Sequence, residues 1–404
     1  MDVLVLTNLY PPHGYGGYEM VCRDVVDRWR AAGHTVTVLT STERAPNVTD
    51  DGNDDTGVIR ELAWYWRHHE LLELPFRQRL QVERHDQRLI TRVLAETAPQ
   101  VVSVWNWGAA PLGVLDTIGR RGLPMQLVVC NEWVAQAVLH EPWTRAFTTR
   151  PPLLARAVHA LTRLPTTPPQ LDTISDAVFV SAMIRETTNR GPWSWPDAPV
   201  VPTGVDLQSF PLRTDRPDGW QGRLLFVGRV DRDKGTRTAV RVLAAEPPGS
   251  TLILVGDGPT AHARELQALA GELGVADRVT RTVRTRREMA AAYDAADVCL
   301  FPSEWPEPFG LVPLEAMARG TPVIASGTGG SAEYLVDGEN CLLAAPGEVA
   351  AWSAAVARLR DDAALRAHLR AGGHATAQRI TIDGTAAQLA DLLTAQLARK
   401  APAR

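Results

Sequence analysis

The sequence has little of what a metal centre, a membrane span or a nucleic-acid partner would demand. Its four cysteines (Cys22, Cys130, Cys299 and Cys341) lie far apart with no Cys-x-x-Cys pair. That spacing leaves reduced core thiols, and with only ten scattered histidines no metal site is expected. No apolar run approaches the roughly 18 residues of a spanning helix. The apolar opening VLVLTNLY is too short for a secretory leader and is preceded by Asp2. A basic excess is also missing: the net charge is −4 and the pI about 6.2, which argues against nucleic acid as a partner. Short-period repeats and low-complexity tracts are absent. The expectation is a cytoplasmic protein, with peripheral contact at the inner membrane face left open.

What is present is an alternating pattern of strands and helices. With 404 residues, 45% apolar and 22% charged, the chain is long enough for two domains, each with its own core. Val3–Leu6 reads as a buried strand, followed by the turn-rich YPPHGYGG, a helix from Glu19 to Ala32 ended by Gly33, and a strand over 35–41. Further strands are expected at 101–106, 126–130, 177–181 and 199–202. The stretch 61–89 fits no simple strand pattern. Proline, glycine and charge cluster over 207–222 as in a linker, and the pattern then restarts with RLLFVG (223–228), TLILVG (251–256), VCLFP (298–302) and PVIAS (322–326). Each half is an α/β array of doubly wound, Rossmann-like type, the two facing a central cleft. The expected domains are 1–207 and 222–384, with a C-terminal helix at about 385–404 crossing back to the first.

In open parallel sheets ligands sit at the carboxyl ends of strands, and several loops in that position carry unusual residues. HGYGGYE (13–19) offers Gly16 and Gly17 before a helix. It is not a dinucleotide fingerprint, since Glu19 stands where G-x-G-x-x-G needs its third glycine. Taken alone it is a tight turn. GRVDRDKG (228–235) places Arg229 and Lys234 between two glycines, a fork and a point charge suited to a diphosphate; alone, it also reads as a solvated turn neutralised by Asp231 and Asp233. VGDGP (255–259) reads as structural. In SEWPEPFGLVPLEAMARGTPVIAS (303–326), Glu307 lies in the loop before a helix that begins near Gly310, and Glu315 lies inside that helix. The amides of Gly310 and Leu311 then stand at its positive end. Carboxylates placed this way can accept hydrogen bonds from sugar hydroxyls and from a ribose.

Together and in this order, with VPTGVDLQSF (201–210) and EYLVDGENCLL (333–343), these residues resemble the retaining glycosyltransferases of family 4, which have the GT-B fold. The resemblance covers most of the chain and is densest in its second half. It implies a metal-independent enzyme that needs no cofactor and takes a nucleoside diphosphate sugar as donor substrate. By that resemblance Arg229 and Lys234 hold the diphosphate, Glu307 contacts the donor sugar, Glu315 contacts the ribose, and Phe309, Gly310 and Leu311 lie along the donor. Gly16 and Gly17 lie against the donor from the first domain. Two departures stand out. Where many relatives carry a histidine after an N-domain strand, this chain reads VVCNEWV (128–134). Asn131, Glu132 and Trp133, with His140 downstream, are the acceptor-side candidates, Glu132 or His140 assisting proton transfer. VTRTVRTRRE (279–288) replaces the usual glycine-containing strand, so the base preference does not carry over.

Alternatives stay open: a sugar-nucleotide epimerase of the same architecture, or a non-catalytic sugar-nucleotide-binding protein. Trp64, Tyr65 and Trp66 are expected to pack onto the first domain, with an acceptor pocket or membrane-facing patch as the rival reading. The arginines at 77, 79, 84, 88 and 92 alternate with acids and read as a solvated helix face. The expected acceptor is a small molecule, a glycan or a lipid-linked acceptor.

Overall fold

The computed structural model describes residues 1–14, 16–44, 56–67, 70–215 and 219–400. Tyr15 of the first glycine loop, residues 216–218 of the expected linker and the chain beyond 400 lie outside them. The chain divides into two compact units, Met1–Pro202 together with the last helix from Thr385, and Thr203–Gly384.

The first unit is built on a parallel sheet of β1 (Asp2–Leu6), β2 (Thr35–Ser41), β3 (Val58–Leu62), β6 (Val101–Val104), β7 (Met125–Val129) and β8 (Asp176–Phe179), with a small antiparallel hairpin of β4 (Trp66–Arg67) and β5 (Glu70–Leu71). The sheet order is β3-β2-β1-β6-β7-β8. The second unit repeats the plan with β9 (Arg223–Val227), β10 (Thr251–Val255), β11 (Val279–Thr282), β12 (Val298–Phe301), β13 (Val323–Ala325) and β14 (Leu342–Leu343), ordered β11-β10-β9-β12-β13-β14. Helices cover both faces of such sheets, so central strands must be apolar on both sides. Val3–Leu6, Val101, Val102 and Val298–Leu300 are accordingly buried. In each sheet the winding reverses beside its first strand, between β1 and β6 and between β9 and β12. That switch point is where a doubly wound sheet leaves a crevice at its carboxyl edge.

The structure differs from the sequence reading in several places, and in the second unit β11 and β14 are strands that were not expected. PVVP (199–202) makes no strand: only Val200 bridges to Phe179, because Pro199 and Pro202 lack the N–H a ladder needs. β3 was not expected, and beyond it the unassigned 61–89 stretch becomes the hairpin and then the helix Phe76–Thr97. Residues 203–207, expected in the first domain, belong to the second unit. There Val205 N–H donates to Ile380 O (3.0 Å) and Ile382 N–H donates to Val205 O (3.0 Å). The helix Ile382–Lys400 is tied into the first unit by Trp29 Nε1 donating to Ala386 O (2.9 Å) and Gln396 Nε2 donating to Met125 O (3.0 Å).

The aromatic triplet packs onto the first unit. Tyr65 is fully buried, Trp64 Nε1 donates to Gly108 O (2.8 Å), and the Trp64 and Trp66 rings stack at 6.3 Å. Tyr65 leads to a buried acidic cluster that the sequence did not reveal. Its hydroxyl donates to Glu83 (2.8 Å), while Glu141 accepts from the amides of Trp143 (2.7 Å) and Thr144 (2.8 Å). Burial raises the pKa of Glu83, with Glu141 nearby adding to the effect, and burial also raises that of Glu141. Asp86, which accepts from Ala63 N–H at 2.9 Å, is pushed up to about 7 by burial.

A carboxyl whose folded pKa lies above its unfolded value binds its proton more tightly in the folded state. Its contribution to stability is therefore full below the unfolded pKa near 4 and is lost as pH rises through about 7. The melting temperature should fall by several degrees between about pH 5.5 and pH 8, and Asp86→Asn should flatten that slope. Equal slopes in both proteins would show that Asp86 is not its source.

Candidate functional site

The second unit collects the polar residues at its switch point. The loop after β9 is held by the loop after β10: Gly228 N–H donates to Val255 O (3.0 Å) and Val230 N–H to Asp257 O (2.8 Å). Asp231 organises the two cations. Its carboxylate receives Arg229 Nε through one oxygen and, through the other, the backbone N–H of Lys234 (3.2 Å). Thr236 in turn donates its hydroxyl to Asp231 O (2.9 Å) and lies 2.8 Å from His262 Nε2. The Arg229 side chain is 49% exposed, whereas that of Lys234 is 21% exposed.

Lys234 is 73 positions from Glu307 in sequence, yet its Nζ donates to Glu307 Oε1 at 2.7 Å. Adjacency of β9 and β12 brings the two loops together. Glu307 is buried, with the same oxygen accepting from Ser303 Oγ at 2.7 Å, and the Lys234 ammonium lies 5.3 Å from the centre of the Trp305 ring. The loop after β13 clamps the Glu307 backbone. Gly330 N–H donates to Glu307 O (2.7 Å), and Gly329, at φ +63°, sits where a Cβ would lie 2.5 Å from that carbonyl.

Glu307 leads directly into the helix Leu311–Ala318, capped by Gly310. The first-turn amides of a helix lack acceptors within it. Pro313 has no N–H, so Gly310, Leu311 and Val312 supply the donors at this end. Phe309 is buried with its ring against Tyr334 (5.0 Å between centroids), so its backbone rather than its ring belongs to the loop. Glu315 is half-buried one turn further on, where the fully buried Tyr293 donates its hydroxyl to Oε2 at 2.6 Å. Burial, with Glu315 beside it, raises the Tyr293 pKa, which keeps the phenol a donor. Asp231, Ser303, Trp305 and Tyr293 were missed as site residues. Only Asp231 left a visible trace in the sequence, as an acid beside the two cations of GRVDRDKG.

In the first unit, Gly16 caps the helix Gly17–Ala31, and its N–H donates to Glu19 Oε2 at 3.1 Å. Glu19 is thus buried beneath the glycine loop, its carboxylate capping the Gly16 N–H. The segment after β7 holds Asn131, whose Oδ1 accepts from Trp133 N–H (3.0 Å), and Glu132, whose Oε2 accepts from Gln136 Nε2 (2.8 Å). Trp133 is buried, and His140 ends the helix Trp133–His140 half-buried.

Comparison with known proteins accounts for this layout. Residues 221–362 match the family described as glycosyl transferases group 1. Over 408 aligned positions, 95% of the chain and 91% of the relative, the protein is 30% identical to glycogen synthase of Mycobacterium tuberculosis. The chain belongs to the group 1 glycosyl transferases. Sugar transfer, the enzyme class expected from the sequence, is that of this family. The D-inositol 3-phosphate glycosyltransferase of Xylanimonas cellulosilytica is 38% identical over 222 residues. That match spans 51% of the chain and about half (52%) of the relative's length.

Among solved structures, sucrose-phosphate synthase from Thermosynechococcus elongatus superimposes with a TM-score of 0.72 at 23% identity, over 98% of this chain and 99% of that one. Anabaena Alr3699/HepE in complex with UDP-glucose does so with a TM-score of 0.70 at 19% identity, over 97% and 99%. These likenesses show the GT-B fold, as expected. Among the described residues no helix is long and apolar enough to cross a membrane.

Proposed function

We propose that this glycosyltransferase moves a sugar from a nucleoside diphosphate sugar to a hydroxyl-bearing or other nucleophilic acceptor, with retention of anomeric configuration and without a metal. The observation that carries the reading is the Lys234–Glu307 contact at 2.7 Å, set at the switch point and followed immediately by a helix N-terminus. Departure of a nucleoside diphosphate leaves negative charge on its phosphates and positive charge on the sugar ring. Lys234, the Arg229 guanidinium and the amides of Gly310 and Leu311 meet the first, and Glu307 faces the second. Groups already oriented before the charge develops stabilise the transition state more than the ground state. Glu315, oriented by Tyr293, receives the ribose hydroxyls. The acceptor proton passes to a leaving phosphate oxygen on the same face as the sugar is transferred. Glu132 and His140 are the polar groups of the post-β7 segment able to assist it, with Asn131 orienting the acceptor. The HepE complex with UDP-glucose, in the same fold, supports this class of donor.

Incubation with UDP-, GDP-, ADP- and dTDP-sugars in the presence of a chelator should release one nucleoside diphosphate, and NMR of the product should show the donor's anomeric configuration. Binding without release would leave a sugar-nucleotide binder, and loss of activity on chelation would exclude the metal-free step. Arg229→Ala should lower kcat/KM about ten- to a hundredfold, the loss of one charge-assisted contact of roughly 1.5–3 kcal/mol. Near-normal transfer by that variant would remove Arg229 from the site.

A further inference from the structure

The helix Pro152–Thr162 has no buried residue. Its inner side, through Ala155 and Val158, rests on the small cluster of Trp143, Phe147 and Leu164. It is anchored there by Thr166 Oγ1 donating to Ala155 O (3.2 Å) and by His159 Nδ1 on Leu164 O (2.8 Å). The outer side is apolar. Leu161 is 84% and Leu153 75% exposed, the two highest values for large apolar side chains among the described residues, and Leu154 is 41% exposed. Leu153, Ala157, Ala160 and Leu161 follow i, i+4, i+7 and i+8, one continuous stripe that the unit's own core does not use.

Charge on this segment departs from that of the chain. Between Pro142 and Leu171 stand four arginines, at 145, 150, 156 and 163, and no acidic residue, in a protein of net charge −4. Arg156 flanks the leucine stripe on one side, about 60° from Leu153 at 3.6 residues per turn, and Arg163 follows as the left-handed cap at the end of the helix. Beside the helix lies a cavity of about 770 Å³ whose lining includes Arg120, Arg150, Arg156 and His159. Asp116, also in that lining, is taken up by Arg120 at 2.6 Å.

We propose that this face docks on an anionic lipid bilayer, the leucine stripe lying at the acyl boundary and the arginines and the basic cavity receiving headgroup phosphates. An apolar helical face bordered by arginine, lying across a surface rather than through it, is the pattern of an interfacial helix. A second copy of the chain fits less well. The helix is 11 residues long, and at about 1.5 Å per residue one face of it falls short of the roughly 800 Å² per partner of a stable interface. The inference does not rest on the catalytic reading.

Sedimentation of the full chain with vesicles tests it. The protein should pellet with vesicles of phosphatidylcholine containing about one-third phosphatidylglycerol and stay in solution with pure phosphatidylcholine. Binding should fall sharply at about 0.5 M salt, where the Debye length is a few ångströms. Leu153→Ser/Leu161→Ser and, separately, Arg156→Glu/Arg163→Glu should each weaken partitioning at least tenfold, with melting temperature and donor turnover in solution unchanged. Equal binding to both vesicle types, or undiminished binding by both variants, would overturn the proposal. So would a concentration-dependent dimer that the leucine variant abolishes and that binds no vesicles.

Discussion

Lys234→Ala should lower kcat/KM by two to three orders of magnitude without unfolding the protein. Lys234 does two things at once. In the proposed function its ammonium meets the leaving phosphates, and in the structure it neutralises Glu307, whose side chain is only 6% exposed. Breaking a buried pair by removing one partner costs about 3–5 kcal/mol because a charge is left uncompensated. That penalty appears as a lower melting temperature, moderated by the 21% exposure of the lysine side chain. In rate, losing a charge-assisted contact worth about 1.5–3 kcal/mol, with the uncovered carboxylate now repelling the departing diphosphate, gives roughly a hundred- to a thousandfold. Lys234→Arg keeps the charge but replaces a compact ammonium over the Trp305 ring with a planar fork, and should recover only part of the loss. Steady-state kinetics beside a melting curve separate this effect from unfolding. A decrease of less than about threefold in kcat/KM would mean that the diphosphate does not rest on Lys234.

Gly235→Ala should damage the site through the backbone alone. Gly235 is held at φ +69°, and a Cβ there would lie 1.8 Å from Pro302 O. Neither wall can withdraw cheaply. Gly235 N–H donates to Arg232 O (2.9 Å), its carbonyl accepts the N–H of Ala239 (3.1 Å), and the chain just beyond Pro302 is fixed by Glu304 N–H on Asp233 O (2.8 Å). The left-handed conformation costs a residue with a Cβ about 1–2 kcal/mol and overpacking a further 1–3, so a loss of about 3 kcal/mol in stability is expected. Donor affinity should fall with it, since the displaced segments carry Lys234 on one side and Glu307 on the other. Gly249→Ala, where nothing lies within 4 Å of the added carbon, is the matched control and should change neither. If Gly235→Ala melts with wild type, the close approach of the two loops is not a constraint on the fold.

Much of the second unit was legible because its chemistry and its strands coincide. RLLFVG and VCLFP are continuous apolar runs, as strands covered on both faces must be, and each is followed at once by its polar loop. What the sequence did not show is that these two runs are neighbours in the sheet, which is why Lys234 and Glu307 could be proposed separately but not as a pair in contact. Glu315 was placed correctly on its helix, while its partner Tyr293 comes from the far end of a different helix, at no recognisable spacing. The first unit was less legible for a related reason. Val58–Leu62 carries Arg60 and Glu61 on an edge strand where one side meets solvent, which blurs the apolar signal. Glu83 and Asp86 look like parts of a solvated, charge-alternating helix until packing turns them inward. Trp64 and Tyr65 pack onto the first unit as expected, but the groups that satisfy them, Gly108 and Glu83, could not be named from the sequence. In each case the deciding partner is distant in the chain.

Calorimetric titration of UDP, GDP, ADP and dTDP into the wild-type protein, Lys234→Ala and Glu315→Gln, all with chelator present, tests most directly whether the strand-end loops of the second unit hold a nucleoside diphosphate. At least one nucleotide should bind the wild type at a single site, at least tenfold more weakly to each variant. Failure of all four to bind, or equal affinity in all three proteins, would contradict it.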